Sequence, residues 1–524
     1  MLVSRMGGAI DKRFRLGAGA SALACVLGCV LAVSAVGLTA AATPAEAAPA
    51  GPDKGKGKGK DKATKAEEKR AIRRKNARQR RPNVIVIMTD DQNESMEGLP
   101  LTQSLLGAQG TTFRNSYVSF PLCCPSRATF LTGQYSHNHG VFTTELPNGY
   151  NGLNHLNTLP VWLRTAGYRT AMVGKYLNGY GIDDQIVEPT SDALEIPPGW
   201  SEWYALTGGL EQRRYKYKLN EQGKIRFYKL GARNYVTDVL SNKAVDFVKR
   251  QAPFPKPFFM WFNPTAPHGE AGVFPGALRD PSPARRHLGR YEFATAPRTP
   301  NFDEADVSDK PPSVKTTPKL TGEQIADIDR RYRSRLESLL SVDEAVKRIV
   351  GRLKKTGDLK RTYIFFTSDN GLLLGAHRLL FKNYIYEEST RVPLIVRGPE
   401  FPSGVVRDPL VSNVDLAPTI TELTGATPGL TMDGRSLVPV AQNPAAGAAR
   451  EILFESEVND GSTGVRSGSW VFIDNESEAP ELYNLSTDPF QLSNLAALPA
   501  FAAKRAELQA KVDLYRTCAG GSCP

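Results

Sequence analysis

Residues 82–92, PNVIVIMTDDQ, lead from an apolar segment into two adjacent aspartates. Residues 84–88 form an unbroken apolar run rich in β-branched side chains, which predicts a buried strand of a parallel sheet. Asp90 and Asp91 then follow the carboxyl end of that strand. In open parallel sheets, ligands bind in the crevice beyond the carboxyl ends of the strands. We therefore expect an α/β fold with a polar site that includes these two aspartates.

Apolar segments alternate with helical patterns along the rest of the chain, which is typical of a large, mostly parallel sheet flanked by helices. The predicted strands after the first are 170–173, 258–262, 363–366 and 392–396. The predicted helices are 158–166 and 332–355, the second from apolar residues at amphipathic spacing.

Polar residues follow three of these later strands as well. They are Gly174-Lys175, Asn263 with His268, and Asp369-Asn370. An aspartate after a strand is also common as a helix cap or in a turn, so each cluster alone has that second explanation. Polar clusters at four strand ends favour one shared crevice.

The pattern changes after about residue 440 to short β-like segments and a closing helix near 502–515. This change predicts a main domain over 82–440 and a smaller C-terminal α+β subdomain over 441–524. Residues 270–320 are rich in proline and charge, and we expect them to run over the surface.

The formal net charge of +12 lies entirely in the first 81 residues. Residues 1–50 carry a net charge of +2, and residues 51–81 carry fourteen basic and four acidic side chains. The remainder of the chain is neutral overall, so we expect no nucleic-acid partner for the folded part. Residues 49–81 cannot form a core and are predicted to be a disordered basic spacer. This spacer is either a solvated linker or a weak contact for anionic surface polymers.

Residues 1–48 are predicted to be a signal peptide. A basic start is followed by an uncharged run at 16–42 and a small-x-small cleavage pattern at 45–47. An uncleaved membrane anchor is the alternative, because the apolar run is long. Either way we expect a secreted or cell-surface protein.

Four cysteines follow the signal peptide: Cys123, Cys124, Cys518 and Cys523. Cys518 and Cys523 are close enough in sequence to form a small C-terminal disulfide loop in an oxidising compartment. The Cys123-Cys124 pair has no comparable structural role.

Asp90, Asp91, Asp369 and Asn370 supply oxygen donors without nitrogen or sulfur. Such a set suits Ca²⁺, or Mg²⁺, better than zinc. Cys123 is the expected neighbour of this site, yet a thiolate is a poor ligand for a hard cation.

The segment around Cys123 predicts a helix. Pro125 fits its first position and Gly133 fits just past its end. Cys123 would then lie at a helix N-terminus, which favours an anion, and Arg127 would add a positive charge in the first turn.

Residues 123–133, CCPSRATFLTG, resemble the type I sulfatase signature C-x-P-S-R-x-x-x-L-T-G. In that family the first cysteine is oxidised to Cα-formylglycine by a separate formylglycine-generating enzyme. The resemblance implies that Cys123 is converted, that Cys124 is the variable position, and that the fold is alkaline-phosphatase-like. It extends through PNVIVIMTDDQ and FFTSDNG to the later segments VSNVDLAPTITELTG, MDGRSL and ELYNLSTDPFQLSNLA.

The resemblance also implies roles in sulfate ester hydrolysis by covalent catalysis. One hydroxyl of a hydrated formylglycine at 123 would attack sulfur, and the other would later expel sulfate. The implied cation ligands are Asp90, Asp91, residue 123, Asp369 and Asn370. Sulfate oxygens would be bound by Arg127, Lys175 and Lys382, and His268 would protonate the leaving oxygen.

One departure concerns residues 174–178, GKYLN, because many sulfatases have Gly-Lys-x-His there. GKYLN together with CCPSR resembles the glucosamine-6-sulfatase and heparan endosulfatase branch, which implies a sulfated sugar or glycosaminoglycan fragment as substrate. Asn178 is then a candidate sulfate or substrate contact. His139 and His377 are candidates for the missing base, each with a purely structural role as the alternative.

Three other functions remain open at this point. A phosphonate monoester hydrolase or phosphodiesterase can share the fold and the formylglycine. An arylsulfatase acting on small aryl sulfates is the second alternative. A non-enzymatic carbohydrate-binding relative would lack part of the metal set or the nucleophile, and the sequence has both.

Overall fold

The computed structural model of the protein describes residues 81–181, 195–207, 213–271 and 278–524. The predicted signal peptide, 1–48, and the predicted spacer, 49–81, lie outside the described residues, apart from Arg81. A ten-stranded sheet forms the centre of the described structure, and a four-stranded sheet follows near the end of the chain.

The large sheet is mixed, with a parallel centre. In chain order its strands are β1 Asn83–Thr89, β2 Thr111–Phe113, β3 Arg169–Gly174, β4 Glu202–Thr207, β5 Tyr217–Glu221, β6 Lys224–Tyr228, β7 Phe258–Asn263, β8 Thr362–Ser368, β9 Leu394–Arg397 and β10 Val405–Arg407. Their spatial order is β10-β2-β9-β8-β1-β7-β3-β4-β5-β6. The central neighbours β8, β1, β7, β3 and β4 all run parallel, whereas β9 and β5 are antiparallel to theirs. The expected α/β fold is confirmed.

The longer helices of the described residues carry the labels α1–α6. They are α1 Cys123–Thr132, α2 Leu159–Thr165, α3 Val236–Gln251, α4 Gly322–Thr356, α5 Leu416–Thr424 and α6 Ala502–Tyr515. Shorter helices are Pro100–Thr102, Ser136–His139, Gly149–Gly152, Pro312–Lys315, Glu387–Thr390 and Val438–Gln442.

Strand β1 is buried on both faces because its alternate residues enter two different cores. Val84, Val86 and Met88 belong to the core that includes side chains of α1, α2 and α5. Ile85 and Ile87 belong to the core that includes side chains of α3 and α4. The sheet therefore lies between two helical layers, which explains why the strand is apolar without interruption.

Strand register brings the predicted polar clusters to one edge of the sheet. The pairing of β1 with β8 runs from Asn83–Thr362 to Thr89–Ser368, so both strands end together. The pairing of β3 with β7 ends at Gly174 opposite Asn263. Residues that follow β1, β3, β7 and β8 consequently share the carboxyl edge.

Helix α4 is longer than the predicted helix 332–355, because it begins at Gly322 and spans 35 residues. A reciprocal pair of hydrogen bonds between Thr321 and Gln324 caps its start. Its first turns are mostly polar and exposed, so the apolar pattern alone did not locate them. The helix ends before Gly357, as predicted.

Three other predictions need correction. Helix α1 begins at Cys123, so Pro125 is its third residue, which still needs no main-chain donor. The strand predicted at 392–396 begins at Leu394, because Pro393 has no N–H for a ladder. The described part of 270–320 is largely irregular, but Ala296, Val307 and Val314 are buried, so this segment does more than cover the surface.

The C-terminal sheet consists of β11 Glu451–Glu455, β12 Thr463–Ser467, β13 Trp470–Asp474 and β14 Glu481–Asn484. All its neighbours are antiparallel, and α6 packs on it through Leu508 and Val512. The predicted disulfide between Cys518 and Cys523 is present. Among the described helices, none has both the length and the apolar character needed to cross a bilayer.

Candidate active site

Asp90 and Lys175 form a buried ion pair where β1 and β3 end. Lys175 Nζ lies 2.9 Å from Asp90 Oδ2 and 3.2 Å from Oδ1, and both side chains are almost fully enclosed. The preceding Gly174 has φ 124°, and a Cβ there would lie 1.9 Å from the Asn263 carbonyl oxygen. Only glycine allows this approach, so it sets the position of Lys175.

The pair Asp369-Asn370 follows β8 and contacts Asp91 from the neighbouring strand. Asp369 Oδ1 accepts the Asp91 N–H at 3.1 Å, and Asn370 Nδ2 donates to Asp91 Oδ1 at 2.7 Å. Asn370 Oδ1 is buried and has no hydrogen-bond partner within the described structure. A buried acceptor without a donor is costly, and a cation would compensate it.

Cys123 is the first residue of α1, and its side chain lies among these carboxylates. Its Sγ is 3.5 Å from Asp90 Oδ1, 4.0 Å from Asp91 Oδ1 and 2.8 Å from Lys382 Nζ. Burial raises the pKa of the Cys123 thiol to about 12, although Lys175 and Lys382 oppose this effect. The unmodified cysteine is therefore a protonated thiol at neutral pH, which makes it a weak nucleophile.

Arg127 lies one turn further along α1 and is completely buried. Its Nε donates to Asp369 Oδ2 at 2.8 Å and its Nη1 to the Lys175 carbonyl at 2.9 Å. Its Nη2 is buried without a partner within the described residues. This arginine can therefore still donate to an anion.

His268 lies in the loop after β7, next to Asp91. Its Nδ1 donates to the Gly269 carbonyl at 2.6 Å, and its Nε2 lies 3.5 Å from Asp91 Oδ2. Burial lowers the pKa of His268, although the charges of Asp91 and Asp90 oppose this effect. The Nδ1 contact leaves Nε2 as the nitrogen that can exchange a proton with a bound molecule.

Ion pairs neutralise the buried carboxylates of this cluster. Three carboxylates, on Asp90, Asp91 and Asp369, face three cationic side chains. Burial alone would raise the pKa of Asp90, but Lys175, with His268 and Arg127, holds it well below its usual range. A divalent cation together with an anionic ester would add charges of opposite sign, so the balance would be largely maintained.

The site can hold a metal ion by geometry as well as by chemistry. Asp90, Asp91, Cys123 and His268 each offer a ligand atom, and these atoms lie within 4.8 Å of one another. Asn370 adjoins this set, because its Nδ2 donates to Asp91 Oδ1. The carboxylates fit a hard cation once position 123 presents oxygen instead of sulfur, whereas His268 offers a nitrogen.

His139 and His377, the candidates for the missing base, lie elsewhere. His139 Nε2 contacts Thr129 Oγ1 at 3.1 Å, its Nδ1 accepts the Val141 N–H, and burial lowers its pKa to about 3. His377 Nδ1 lies 2.6 Å from Glu304 Oε2. Within the described residues neither side chain contacts the carboxylate cluster, so the structure favours the structural alternative for both.

Asn178 lies next to Cys124, the residue after Cys123. Burial raises the pKa of the Cys124 thiol to about 12, and a hydrogen bond from the Asn178 main chain partly offsets this. Asn178 Oδ1 is buried without a partner among the described residues. Leu177, at the position of the missing histidine, is buried in the core that contains α1.

Arg335 in α4 is a residue of the site that the sequence did not indicate. Its guanidinium is buried, donates to the Asp91 carbonyl, and lies 3.3 Å from the Pro267 carbonyl. The available signal was an arginine within the apolar stripe of an amphipathic helix, between Tyr332 and Leu336.

Comparison with known proteins identifies the family. A sequence model of the Sulfatase family matches residues 82–426, and the model "N-sulphoglucosamine sulphohydrolase, C-terminal" matches residues 375–517. The human N-acetylglucosamine-6-sulfatase is 34% identical over 498 residues, which cover 85% of this chain and 86% of that protein. The chain belongs to the sulfatase family. It is a sulfuric ester hydrolase with the alkaline-phosphatase-like fold.

Three further comparisons concern an extracellular relative and two solved structures. The extracellular sulfatase SULF-1 homolog of Drosophila melanogaster is 36% identical over 380 residues, which cover 70% of this chain and 32% of that protein. A solved protein in complex with its substrate D-glucosamine-2-N,6-O-disulfate superposes with a TM-score of 0.66 at 26% identity, covering 83% of this chain and 97% of that one. The phosphonate monoester hydrolase of Agrobacterium radiobacter shares the fold. It superposes with a TM-score of 0.62 at 21% identity, covering 82% of this chain and 94% of that one.

Proposed function

We propose that this sulfatase is an exported enzyme that hydrolyses sulfate esters of sulfated glucosamine, in sugars or glycosaminoglycan fragments. It would use a formylglycine made from Cys123 and a divalent cation, Ca²⁺ or Mg²⁺. The observation that carries the proposal is the position of the Cys123 side chain. It lies within 4.0 Å of two aspartate oxygens and 2.8 Å from the Lys382 ammonium.

The proposed cation ligands are Asp90, Asp91, residue 123, Asp369 and Asn370. A cation held there would act as a Lewis acid and a template for the ester. A formylglycine hydrate at 123 would supply an oxygen nucleophile next to that cation, in place of a buried thiol whose pKa is raised. The unpartnered Asn370 Oδ1 supports this assignment.

Three cationic side chains would bind the sulfate group of the ester. Lys175 pairs with Asp90 and Lys382 pairs with Asp91. Arg127 retains a buried N–H that has no partner among the described residues. All three are fixed by ion pairs before substrate arrives. Preorganised donors of this kind stabilise the charge that develops on sulfate oxygens in the transition state.

His268 would deliver a proton to the leaving oxygen. Its Nδ1 is bound to the Gly269 carbonyl, so Nε2 is available towards the site. Asp91 Oδ2 lies 3.5 Å from Nε2, and its charge partly offsets the burial that lowers the pKa of His268. The proton would pass from Nε2 to the ester oxygen as the bond to sulfur breaks.

The sugar specificity is inferred from relatives. The human relative is named for N-acetylglucosamine 6-sulfate, and the solved structure holds D-glucosamine-2-N,6-O-disulfate. We infer that a glucosamine sulfate occupies the crevice and contacts Asn178. Export rests on the predicted signal peptide, 1–48, and on extracellular relatives such as the Drosophila protein. The proposal also includes maturation by a formylglycine-generating enzyme. It divides the rest of the chain into a basic spacer, 49–81, a catalytic domain, 82–440, and a C-terminal subdomain, 441–524.

The decisive test combines mass spectrometry with activity. Purified mature protein is digested, and the peptide covering 116–127 is weighed while the same sample is assayed on N-acetylglucosamine 6-sulfate. We expect a formylglycine mass and release of sulfate. Active protein with an unmodified thiol at 123 would defeat the proposed nucleophile. Faster turnover of a phosphonate monoester than of any sulfate ester would favour the phosphonate hydrolase.

A further inference from the structure

A groove at the amino edge of the large sheet has chemistry that the catalytic crevice does not use. We call it the basal groove, and its volume is about 480 Å³. Leu105, Val350 and Leu359 contribute apolar surface, and Lys354, Lys360 and Arg397 contribute cationic groups. Sites for small ligands typically measure about 300–1,000 Å³, so a sugar unit fits.

The basal groove lies far from the cation site. Leu359 and Lys360 precede β8, which begins at Thr362, whereas Asp369 follows its end. Seven strand residues at roughly 3.3 Å each separate the two ends by about 20 Å. Arg397 pairs with Ile364 near the start of β8. A ligand in the groove therefore cannot contact the ester being cleaved.

The positive charge at the groove is a local excess. Residues 347–361 contain seven basic side chains and one acidic side chain, while the chain from residue 82 onward is neutral overall. The acidic residue, Asp358, is buried and paired with Arg361 at 2.8 Å. Lys354 and Lys360 are exposed. The groove is thus cationic without a matching carboxylate on this segment.

Arg397 adds a second, independent observation. Its side chain is half-buried, and it has no ion pair or hydrogen bond within the part of the chain that the structure describes. Burial alone lowers the pKa of Arg397, with no carboxylate opposing the effect. A partly buried guanidinium without a counter-ion is unfavourable, and an anion in the groove would stabilise it.

We propose that the basal groove binds a sulfated polysaccharide, the same class of polymer that the proposed function cleaves, on which this inference rests. The apolar surface suits the C–H face of a pyranose ring, and the three cations suit its sulfate groups. The chain's own segment 51–81 is strongly basic and would be repelled. A polymer held here would raise the concentration of its other esters at the crevice.

The test measures binding to catalytically inactive full-length protein. Fluorescein-labelled heparin dodecasaccharide is titrated with Cys123→Ala protein by anisotropy at 50 and 200 mM NaCl. The same measurement is made on two variants of the Cys123→Ala protein. One carries Lys354→Glu together with Lys360→Glu, and the other carries Arg397→Gln. The double variant replaces two cationic groups by two anionic ones, so we expect it to bind about tenfold more weakly at 50 mM NaCl.

A matched variant controls for overall charge. Lys249 and Lys319 are exposed lysines outside the groove, and Lys249→Glu with Lys319→Glu changes the net charge equally. We expect less than twofold weakening from this control. Equal weakening in both variants, or none in the groove variant, would overturn the proposal.

Hydrolysis separates this inference from the proposed function. With Cys123 intact, the groove variant is assayed on N-acetylglucosamine 6-sulfate and on heparin. We expect unchanged kcat/KM on the monosaccharide and a raised KM on the polymer. Absence of hydrolysis by the unaltered protein would defeat the proposed function alone. Unchanged heparin binding by the groove variant would defeat the groove alone.

Discussion

The guanidinium of Arg335 donates to the main-chain carbonyl of Asp91, a residue of the proposed cation site. The same group lies 3.3 Å from the Pro267 carbonyl, next to His268. One buried side chain of α4 thus fixes both the loop after β1 and the loop after β7. Groups that orient metal ligands in this way are nearly as important for metal binding as the ligands themselves.

Replacing Arg335 by Met should weaken cation binding without changing any ligand. We expect a 10- to 100-fold loss of cation affinity and of kcat/KM, because both loops lose a shared donor. Calorimetric titration of the demetallated protein with Ca²⁺ provides the measurement. Arg333→Met on the same helix is the control, since Arg333 bonds the Ala294 carbonyl instead. Equal losses in the two variants would contradict this role for Arg335.

Removal of the cation should destabilise the protein as well as inactivate it. A ligand present at 100 times its Kd stabilises the native state by about 2.7 kcal/mol, so dialysis against a chelator should lower the melting temperature. Adding back Ca²⁺ or Mg²⁺ separately should show which ion restores it. Asn370→Ala should reduce the recovery, because the unpartnered Oδ1 is lost. A melting temperature unaffected by the chelator would argue against a bound cation.

The strand ends could be predicted from the sequence because two local signals coincided there. Unbroken apolar runs located β1, β7 and β8, and the polar pairs at their ends indicated a common edge. Cys123, Arg127, Lys175 and His268 meet there as expected. The register of parallel strands makes these distant residues neighbours, and register follows from burial on both faces.

Other features depend on contacts that no local pattern contains. Arg335 reaches Asp91 across 244 positions, so only the packing of α4 on the sheet reveals its role. His139 and His377 are candidate bases from the sequence, but in the structure they contact Thr129 and Glu304. The early start of α4 was missed because its first turns bury little apolar surface.

The terminal disulfide should stabilise the C-terminal segment modestly and leave catalysis unchanged. Cys518 and Cys523 close a loop with a separation of only five residues, for which chain entropy predicts about 2 kcal/mol. Replacing both by Ser should therefore lower the melting temperature, while kcat/KM on N-acetylglucosamine 6-sulfate stays within twofold. A large loss of activity with an unchanged melting temperature would contradict this expectation.

Stability should depend on pH through His137. Its Nδ1 lies 2.8 Å from Glu455 Oε1 and its Nε2 lies 2.8 Å from the Cys518 carbonyl. Burial alone would lower the pKa of His137, but the hydrogen bond and charge of Glu455 raise it above its usual value of 6.5. The charged pair thus contributes fully below pH 6.5, and the contribution is lost as the pH rises through the raised pKa.

The variant His137→Gln removes this titration. We expect the difference in melting temperature between the unaltered protein and His137→Gln to be larger at pH 5.5 than at pH 8.5. Cysteines 518 and 523 are kept, so the disulfide acts equally in both proteins. A difference that is constant over this range, or that grows with pH, would show that the charged pair does not stabilise the native state.

Asn178 should contribute to substrate binding through its side-chain carbonyl. Asn178 Oδ1 is buried without a partner among the described residues, beside Cys124. One hydrogen bond is worth about 0.5–1.5 kcal/mol, so Asn178→Ala should raise KM for N-acetylglucosamine 6-sulfate roughly 2- to 13-fold with little effect on kcat. The exposed Asn151 is the matched control for this change. A rise for the sugar alone would place the contact on a hydroxyl or amide donor of the sugar, whereas an equal rise in KM for 4-nitrophenyl sulfate would contradict this role, because Oδ1 and the sulfate oxygens are all acceptors. An unchanged KM for both substrates would remove Asn178 from the binding site.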